Sequence, residues 1–498
     1  MTGSGPRGER SAPWLGFAAV LTVRLAVFPF ARNFYGDPMM RLKALTAWMA
    51  HPFFLKSFIG ARQFGPLHIY LLALGQWMHA DLDAGPRFIS LIFGSLSAFP
   101  LYRLAERRFG RTAALLSTLG LAVYPLHIQA STTAASEAVF LWFLLWALAM
   151  LDEAPKRGRA LLVAGLAMAG ACAVRYDGWI YAPLSWIWLV EPLREKRIPR
   201  AAALGYAAAS LAVPIFLCVG SWIDLRDPFY TLRYIQLSHF QSAAQAAAAM
   251  GRWPYAVYCL LFWPANLAWE LTPPVALGVA LGAAACLRNR RGRDLLLLAA
   301  LPAAVFSLEG ALLLRFHPLA RFTIPTGVLL LPYAGEGLLR AFRSVQQRFK
   351  PVAVAAAVLS GVGLPSYFAW RTLGQADWLA NTLRPISPVS NLPPDLSAAA
   401  QWLKANGAAR KVEIETNWLY EELPIEFYGS GTAAMVFTPL DGQAPKGFEP
   451  PDLVVLPNDS DVLRSGEAHL DGELLEHRGQ RFSLLAHLGK VTVFERLQ

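Results

Sequence analysis

Charge is what this sequence has least of. Only 16% of its 498 residues are Asp, Glu, Lys or Arg, where a soluble protein carries about 25%. A soluble globular chain of this length is thereby excluded. Cysteine is scarce as well. Cys172, Cys218, Cys259 and Cys286 all lie in apolar segments without CxxC or metal-ligand spacing; they read as small core residues, and a disulfide framework is excluded. No glycine-rich nucleotide-binding motif is present. His51, His68, His239 and His317 are also without metal-ligand spacing. The sequence assigns no cofactor and leaves a divalent cation open.

What fills the chain instead is apolar residues, 55% of the total, in repeated runs of about 17–25 residues, the signature of a polytopic α-helical membrane protein. The net charge of +11 is not a nucleic-acid footprint, because the basic residues sit in short clusters between apolar runs. The first run, Trp14 to Ala31, follows Arg7 and Arg10 as a signal peptide would. It is long for one, contains Arg24 and precedes no small-x-small cleavage site, so an uncleaved first span is expected.

The runs fall at about 13–31, 86–104, 112–128, 136–151, 160–174, 179–191, 201–223, 255–286, 294–314, 322–339 and 351–370. With the N-terminus cytoplasmic, every second gap carries a cationic cluster: Arg103-Glu106-Arg107-Arg108-Arg111, Lys156-Arg157-Arg159, Arg194-Lys196-Arg197-Arg200, Arg288-Arg290-Arg291-Arg293 and Arg340-Arg343-Arg348-Lys350. The positive-inside rule then orients the chain in an inner or plasma membrane. Two segments test the count. Pro66 to Met78 is read as an interfacial helix in the first outer loop, 32–85, because a span there would turn every cluster outward. The stretch 255–286, interrupted at Pro264 and Pro273-Pro274, is read as one tilted, kinked helix rather than a span plus a re-entrant segment. About eleven spans result. They make residues 1–370 a transmembrane domain and place 371–498 outside, as a periplasmic domain. That last portion is polar, with a helix expected at Leu396–Asn406 and β-like runs at Lys411–Glu415, Ala433–Thr438, Leu453–Leu456 and Val491–Glu495. It reads as a small soluble α/β domain.

The outer loops hold the candidate chemistry. The first contributes Asp37, Arg41, Lys43, His51, Lys56, Arg62 and His68; the second ends in Glu137 at the mouth of a span. The third is Arg175-Tyr176-Asp177-Gly178, the fourth carries Arg226, Asp227, Arg233 and His239, and the fifth Arg315, His317 and Arg321. Ionisable groups at span ends are functional candidates, with pairing or snorkelling as the structural alternative. Asp37 is placed to act as a general base toward an acceptor hydroxyl, and Asp37-Pro38 also makes a good helix start. Glu137 equally suits a helix N-terminus. Arg175 and Asp177 are able to neutralise each other across a tight turn. Arg41, Lys56, Arg62, Arg175, Arg315 and Arg321 offer phosphate ligands, since guanidinium groups bind phosphate oxygens in pairs.

At these residues the chain resembles the GT-C superfamily of integral-membrane glycosyltransferases, within it the bacterial protein O-mannosyltransferase-like branch that includes the lipid A aminoarabinose transferase. The resemblance rests on Asp37, on Gln63-Phe64-Gly65-Pro66-Leu67-His68, on Arg87, and on Tyr102-Arg103-Leu104-Ala105-Glu106-Arg107-Arg108-Phe109-Gly110. Ser136-Glu137, Arg175-Tyr176-Asp177-Gly178 and Arg321-Phe322-Thr323-Ile324-Pro325 complete it. It covers about residues 13–340. It implies transfer of a monosaccharide from a polyprenyl-phosphate donor to an acceptor of unspecified kind at the outer face. Asp37 would activate the acceptor, Glu137 assist, and Arg175 and Arg321 foremost would bind the donor phosphate, with Asp177, His68 and His317 in substrate contact. Departures are visible. Phe64-Gly65-Pro66 stands where many relatives have Lys-Pro-Pro or His-Pro-Pro, leaving Arg62 or Lys56 to substitute for a donor-phosphate lysine. The paired acids of some first loops and the Trp-Trp-Asp motif of oligosaccharyltransferases are absent. The rival expectation is a flippase or transporter of lipid-linked sugars; a membrane scaffold whose soluble domain binds a partner is a third.

Overall fold

The computed structural model describes residues 8–34, 37–50, 52, 64–289, 292–348, 387–415, 419–429, 434–437, 450–458, 460–466 and 468–497. His51, Lys56, Arg62 and the apolar run expected at 351–370 lie outside the described residues. Contacts divide the chain into two units, Met1–Ser390 and Asn391–Gln498. The boundary expected at 370/371 falls among residues that are not described.

The first unit is helical. It begins with α1 (Gly8–Val27), α2 (Pro38–Ala50), α3 (Pro66–Met78), α4 (Ala84–Leu96), α5 (Ala98–Phe109), α6 (Arg111–Ala122), α7 (Pro125–Thr132) and α8 (Glu137–Glu153). It continues with α9 (Arg159–Val174), α10 (Gly178–Ser185), α11 (Ile187–Arg194), α12 (Arg200–Leu225) and α13 (Tyr230–Met250). Then come α14 (Arg252–Glu270), α15 (Pro273–Asn289), α16 (Arg293–Leu308), a π turn at Glu309–Leu313, a 3₁₀ turn at Ala320–Thr323 and α17 (Ile324–Arg348). Among the described residues four helices are long and apolar enough to cross a membrane, or six if each sharply bent pair counts as one span. The chain is an integral membrane protein. Proline sets several helix starts: Pro66 and Pro125 occupy the first turn, where a missing N–H costs nothing.

α8 lies at the centre and is buried along most of its length. Its 17 residues reach about 25 Å, and a carboxylate marks each end. At one end Glu137 meets Arg175. At the other, Glu153 pairs with Arg103 and Arg107, while Arg108 bridges Asp152 at 2.7 Å and Asp294 at 2.5 Å. The bundle therefore has two polar poles joined by apolar helices.

α3 has 13 residues, about 20 Å of helix, short of the roughly 30 Å a span needs. It packs against α4 and α9. The segment 255–286 departs from expectation. It is not one tilted helix, because α14 and α15 meet at 118°. Thr272 adopts φ +69 and Pro273 opens the next helix, so the backbone turns instead of kinking. The pair still runs from one pole to the other. Tyr255 bonds to the Phe316 carbonyl and to His317, whereas α15 packs along α17, whose Tyr333 hydroxyl reaches the Gly292 carbonyl beside Asp294.

A second break is stabilised internally. α6 and α7 bend by 62°, which strips carbonyls at the end of α6 of their helical partners. Arg24 of α1, fully buried, donates to the Leu121 and Ala122 carbonyls at 2.8 and 2.9 Å and to His127 Nδ1 at 2.8 Å. The charge in the first apolar run is thus a cap for another helix.

The second unit holds α18 (Pro394–Asn406), α19 (Leu419–Gly429), α20 (Asp461–Ser465) and strands β1 (Lys411–Ile414), β2 (Ala434–Phe437), β3 (Leu453–Pro457), β4 (Ala468–Asp471), β5 (Leu474–His477), β6 (Gln480–Leu488) and β7 (Val491–Arg496). The sheet order is β2-β1-β3-β7-β6-β5-β4. β1 runs parallel to β2 and β3, and the remaining pairs are antiparallel. Val454, Leu456, Leu475, Phe482 and Phe494 form a core on one face.

Candidate active site

The pole at Glu137 is built from loops that apolar helices hold in place. Asn33, fully buried, accepts from the Ala134 N–H at 2.7 Å and donates to Asp83 at 2.8 Å. Asp83 pairs with Arg87 at 2.8 Å, and Arg87 donates to the Thr132 carbonyl at 2.8 Å and to the Phe28 carbonyl. This network ties together the end of α1, the start of α4 and the α7–α8 loop. Asp37 lies four residues beyond Asn33, and Glu137 three beyond Ala134, so the same bonds set the relative positions of both acids.

Asp37 opens α2, its carbonyl accepting the Arg41 N–H at 3.0 Å. Its carboxylate pairs with Arg321 Nη1 at 2.6 Å. Arg321 sits on the 3₁₀ turn before α17, where Thr323 donates to Asn266 Oδ1 at 2.8 Å and to the Ala320 carbonyl at 2.7 Å. One helical turn after Asp37, Arg41 stacks 4.1 Å over the Phe64 ring and contacts His68 Nδ1 at 3.3 Å. Arg175, at the end of α9, binds Glu137 at 2.7 Å, Asp177 at 2.6 Å and the Ser136 hydroxyl at 3.0 Å.

Asp37, Glu137 and Asp177 thus face Arg41, Arg175 and Arg321, three carboxylates against three guanidinium groups. Burial by itself raises the Asp37 pKa, but Arg321 first and then Arg41 and Arg175 outweigh it and hold the carboxyl below its ordinary range. Burial disfavours the Arg175 cation, and Asp177 and Glu137 more than compensate, raising its pKa. Burial, with the nearby Arg41 and Arg175, keeps His68 well below the usual histidine range. It is neutral there, and Nδ1 accepts from Arg41.

Beside Arg321 lies an aromatic wall. His317 Nδ1 meets the Tyr255 hydroxyl at 3.2 Å, the His317 N–H approaches His239 Nδ1 at 3.4 Å, and His239 stacks on Phe316 at 4.8 Å. Burial, with Arg321 and His317 nearby, lowers His239 to about 4. A cleft lined by Tyr181, Trp263, Phe306, Phe322 and Pro325 reaches Asp177.

The structure therefore gathers Asp37, Arg41, His68, Glu137, Arg175, Asp177 and Arg321, with His317 adjoining. Lys56 and Arg62 lie outside the described residues. Arg233 and Asp227 pair with each other at the exposed start of α13. Asn33, Asp83, Arg87, Tyr255 and Asn266 were not among the site candidates of the sequence. Their position at helix ends, as uncommon polar residues beside apolar runs, was the available signal.

Residues 63–222 match the family model of dolichyl-phosphate-mannose-protein mannosyltransferases. No curated protein matches the chain. Among solved structures, it is similar to ArnT from Cupriavidus metallidurans bound to undecaprenyl phosphate, with 14% identity over 97% of both chains and a TM-score of 0.64. It is also similar to the archaeal oligosaccharyltransferase AglB from Archaeoglobus fulgidus in complex with an inhibitory peptide and a dolichol-phosphate, with 13% identity over 93% of this chain and 70% of that one, at a TM-score of 0.51. The chain has the GT-C fold of these membrane proteins, with a small C-terminal sheet unit.

Proposed function

We propose that this protein is an inverting glycosyltransferase that moves a monosaccharide from a polyprenyl-phosphate donor to an acceptor hydroxyl at the outer face of the membrane. The observation that carries the proposal is the charge-balanced cluster at one pole of a GT-C bundle, assembled from five separate stretches of chain. The matching family model and the polyprenyl and dolichol phosphates held by the two similar structures support a lipid-linked donor. An Asp in a 2.6 Å ion pair is a weak base. The donor phosphate competes with Asp37 for Arg321, as a charged bidentate ligand does for a guanidinium. Once Arg321 turns to phosphate, Asp37 accepts the acceptor's hydroxyl proton as its oxygen bonds to the sugar's anomeric carbon. The anomeric carbon–oxygen bond breaks, its electrons stay with the phosphate, and Arg321 and Arg175 stabilise that charge. Glu137 holds Arg175 in place. The products are the glycosylated acceptor and polyprenyl phosphate, and Asp37 returns its proton to water.

The test is release of polyprenyl phosphate by detergent-purified protein, given a polyprenyl-phosphate sugar and a cell-envelope extract as acceptor. Asp37→Asn is expected to lower the rate by at least ~10²-fold while the chain remains folded. An unchanged rate in that variant removes Asp37 as the base. Wild-type protein that carries the lipid-linked sugar across vesicles and never releases polyprenyl phosphate establishes the flippase alternative.

A further inference from the structure

The C-terminal unit contains a second group of chemically active side chains. Glu413 and Glu415 alternate along β1 and its continuation, so they share one face of the sheet. That face otherwise presents Val454, Leu456 and Phe494. Glu413 is fully buried and Glu415 is 8% exposed. In sheet order β1 lies four positions from β5, about 19 Å if the sheet were flat. His477, the last residue of β5, nevertheless brings Nε2 within 3.4 Å of Glu413 and 3.8 Å of Glu415. The sheet curls until its edge hairpin meets β1, and it meets it through this cluster. A carboxylate without exposure on an apolar face is costly unless compensated.

We infer that Glu413, Glu415 and His477 form a site for a divalent cation of the zinc class, which fastens the β5–β6 hairpin to β1. One imidazole and two carboxylates, each offering an atom within 4.8 Å of the others, are the nitrogen and oxygen donors such an ion takes. Ligand distances of about 2.0–2.2 Å in a tetrahedron put donors about 3.3–3.6 Å apart. The two measured imidazole–carboxylate separations straddle the top of that range. The cluster's own cation fits it less well. Arg478 Nη2 stands 3.3 Å from Glu413 and 3.4 Å from Glu415, beyond the roughly 2.7–2.9 Å of a closed charge-assisted bond. His477 Nδ1 meets no hydrogen-bond partner among the described residues, so the ring is free to carry its proton there and turn the Nε2 lone pair, now 3.4 Å from Glu413 Oε1, to an ion between the carboxylates. Three protein donors leave a fourth position for water.

Full-length protein in detergent, stripped with a chelator, is titrated with Zn²⁺ by calorimetry. Wild type is expected to show one equivalent per chain that weakens at least tenfold in both His477→Ala and Glu413→Gln. The same equivalent persists in Asp37→Asn, which separates it from any ion at the membrane pole. Arg478→Gly carries the proposal past a folding defect. Arg478 has φ +50 in a two-residue hairpin loop, where glycine is favoured, and the change also removes the competing cation. Binding in that variant is expected to be unchanged or tighter. The proposal is overturned if wild type binds no Zn²⁺, if the equivalent survives His477→Ala, if it is lost only with Asp37→Asn, or if Arg478→Gly abolishes it. The cluster is then a buried ion network alone.

Discussion

At the scale of single residues, the Asp37–Arg321 pair carries a pH dependence of its own. A carboxyl whose pKa is depressed in the folded chain stays ionised above its ordinary value of about 3.9. Its ion-pair contribution is full there and is lost as pH falls through the lower, folded value. In the free protein Arg321 holds Asp37 low. In the donor complex, with Arg321 drawn to phosphate, burial is left to raise it. The acid limb of kcat is therefore expected at higher pH than that of kcat/KM, since the first reports the complex and the second the free enzyme. In Arg321→Gln the two limbs converge at the higher value and KM for the donor rises. Limbs that coincide in the wild type contradict the exchange of partners. The individual acids and bases of this pole are readable in the sequence because loop position alone nominates them. Their pairings are not. Nothing local to Asp37 specifies a guanidinium that follows fifteen intervening helices, and Asn33 and Arg87 act on backbone carbonyls and amides that no side-chain pattern marks.

At the scale of elements, Gly65 shows how one contact sets the site. A Cβ there would collide with the Ala173 and Val174 carbonyls at the end of α9. That end carries Arg175, and Gly65 precedes the helix that carries His68. Gly65→Ala forces α3 and α9 apart, and a comparable displacement of catalytic groups costs about 10²-fold. A loss of that order in kcat is expected, with a melting temperature lowered by a few degrees. Full activity in this variant means that α3 yields without moving the pole. Among the described residues the long apolar runs were legible as helices, although 255–286 holds two helices and not one. α13 was not singled out, although its alanine-rich half favours helix, because it lies in a polar stretch that reads as loop. β4, β5 and β6 were missed for a different reason. β5 has only two buried side chains and β6 alternates weakly, so the period-two signal is faint where one face of a sheet meets solvent.

At the scale of the whole molecule, the pole opposite the candidate site is a stability device. Arg108 joins α5, α8 and the start of α16 through Asp152 and Asp294, and stacks 4.7 Å from Trp188 of α11. Arg108→Met leaves two largely buried carboxylates without that partner, a loss on the order of 3 kcal/mol. Thermal unfolding in detergent is expected to shift down by several degrees while kcat remains unchanged. A large drop in kcat at unchanged stability refutes a purely structural role for this end. The alternation of cationic loops made this pole legible as one side of the membrane. The sharp turn between α14 and α15 was not, because Pro264 and Pro273-Pro274 announce a break without giving its angle.

The place of Arg321 in the chain has a consequence for biosynthesis. Asp37, Glu137 and Asp177 leave the ribosome with only Arg41 and Arg175 to oppose them, so from residue 177 until residue 321 these groups carry one excess negative charge. A chain stopped before that point has α1 to α16 but three acids against two guanidinium groups. Arrival of the turn that opens α17 cancels the excess and closes the pole in one step. Charge balance at the site therefore waits for the last of its helical elements.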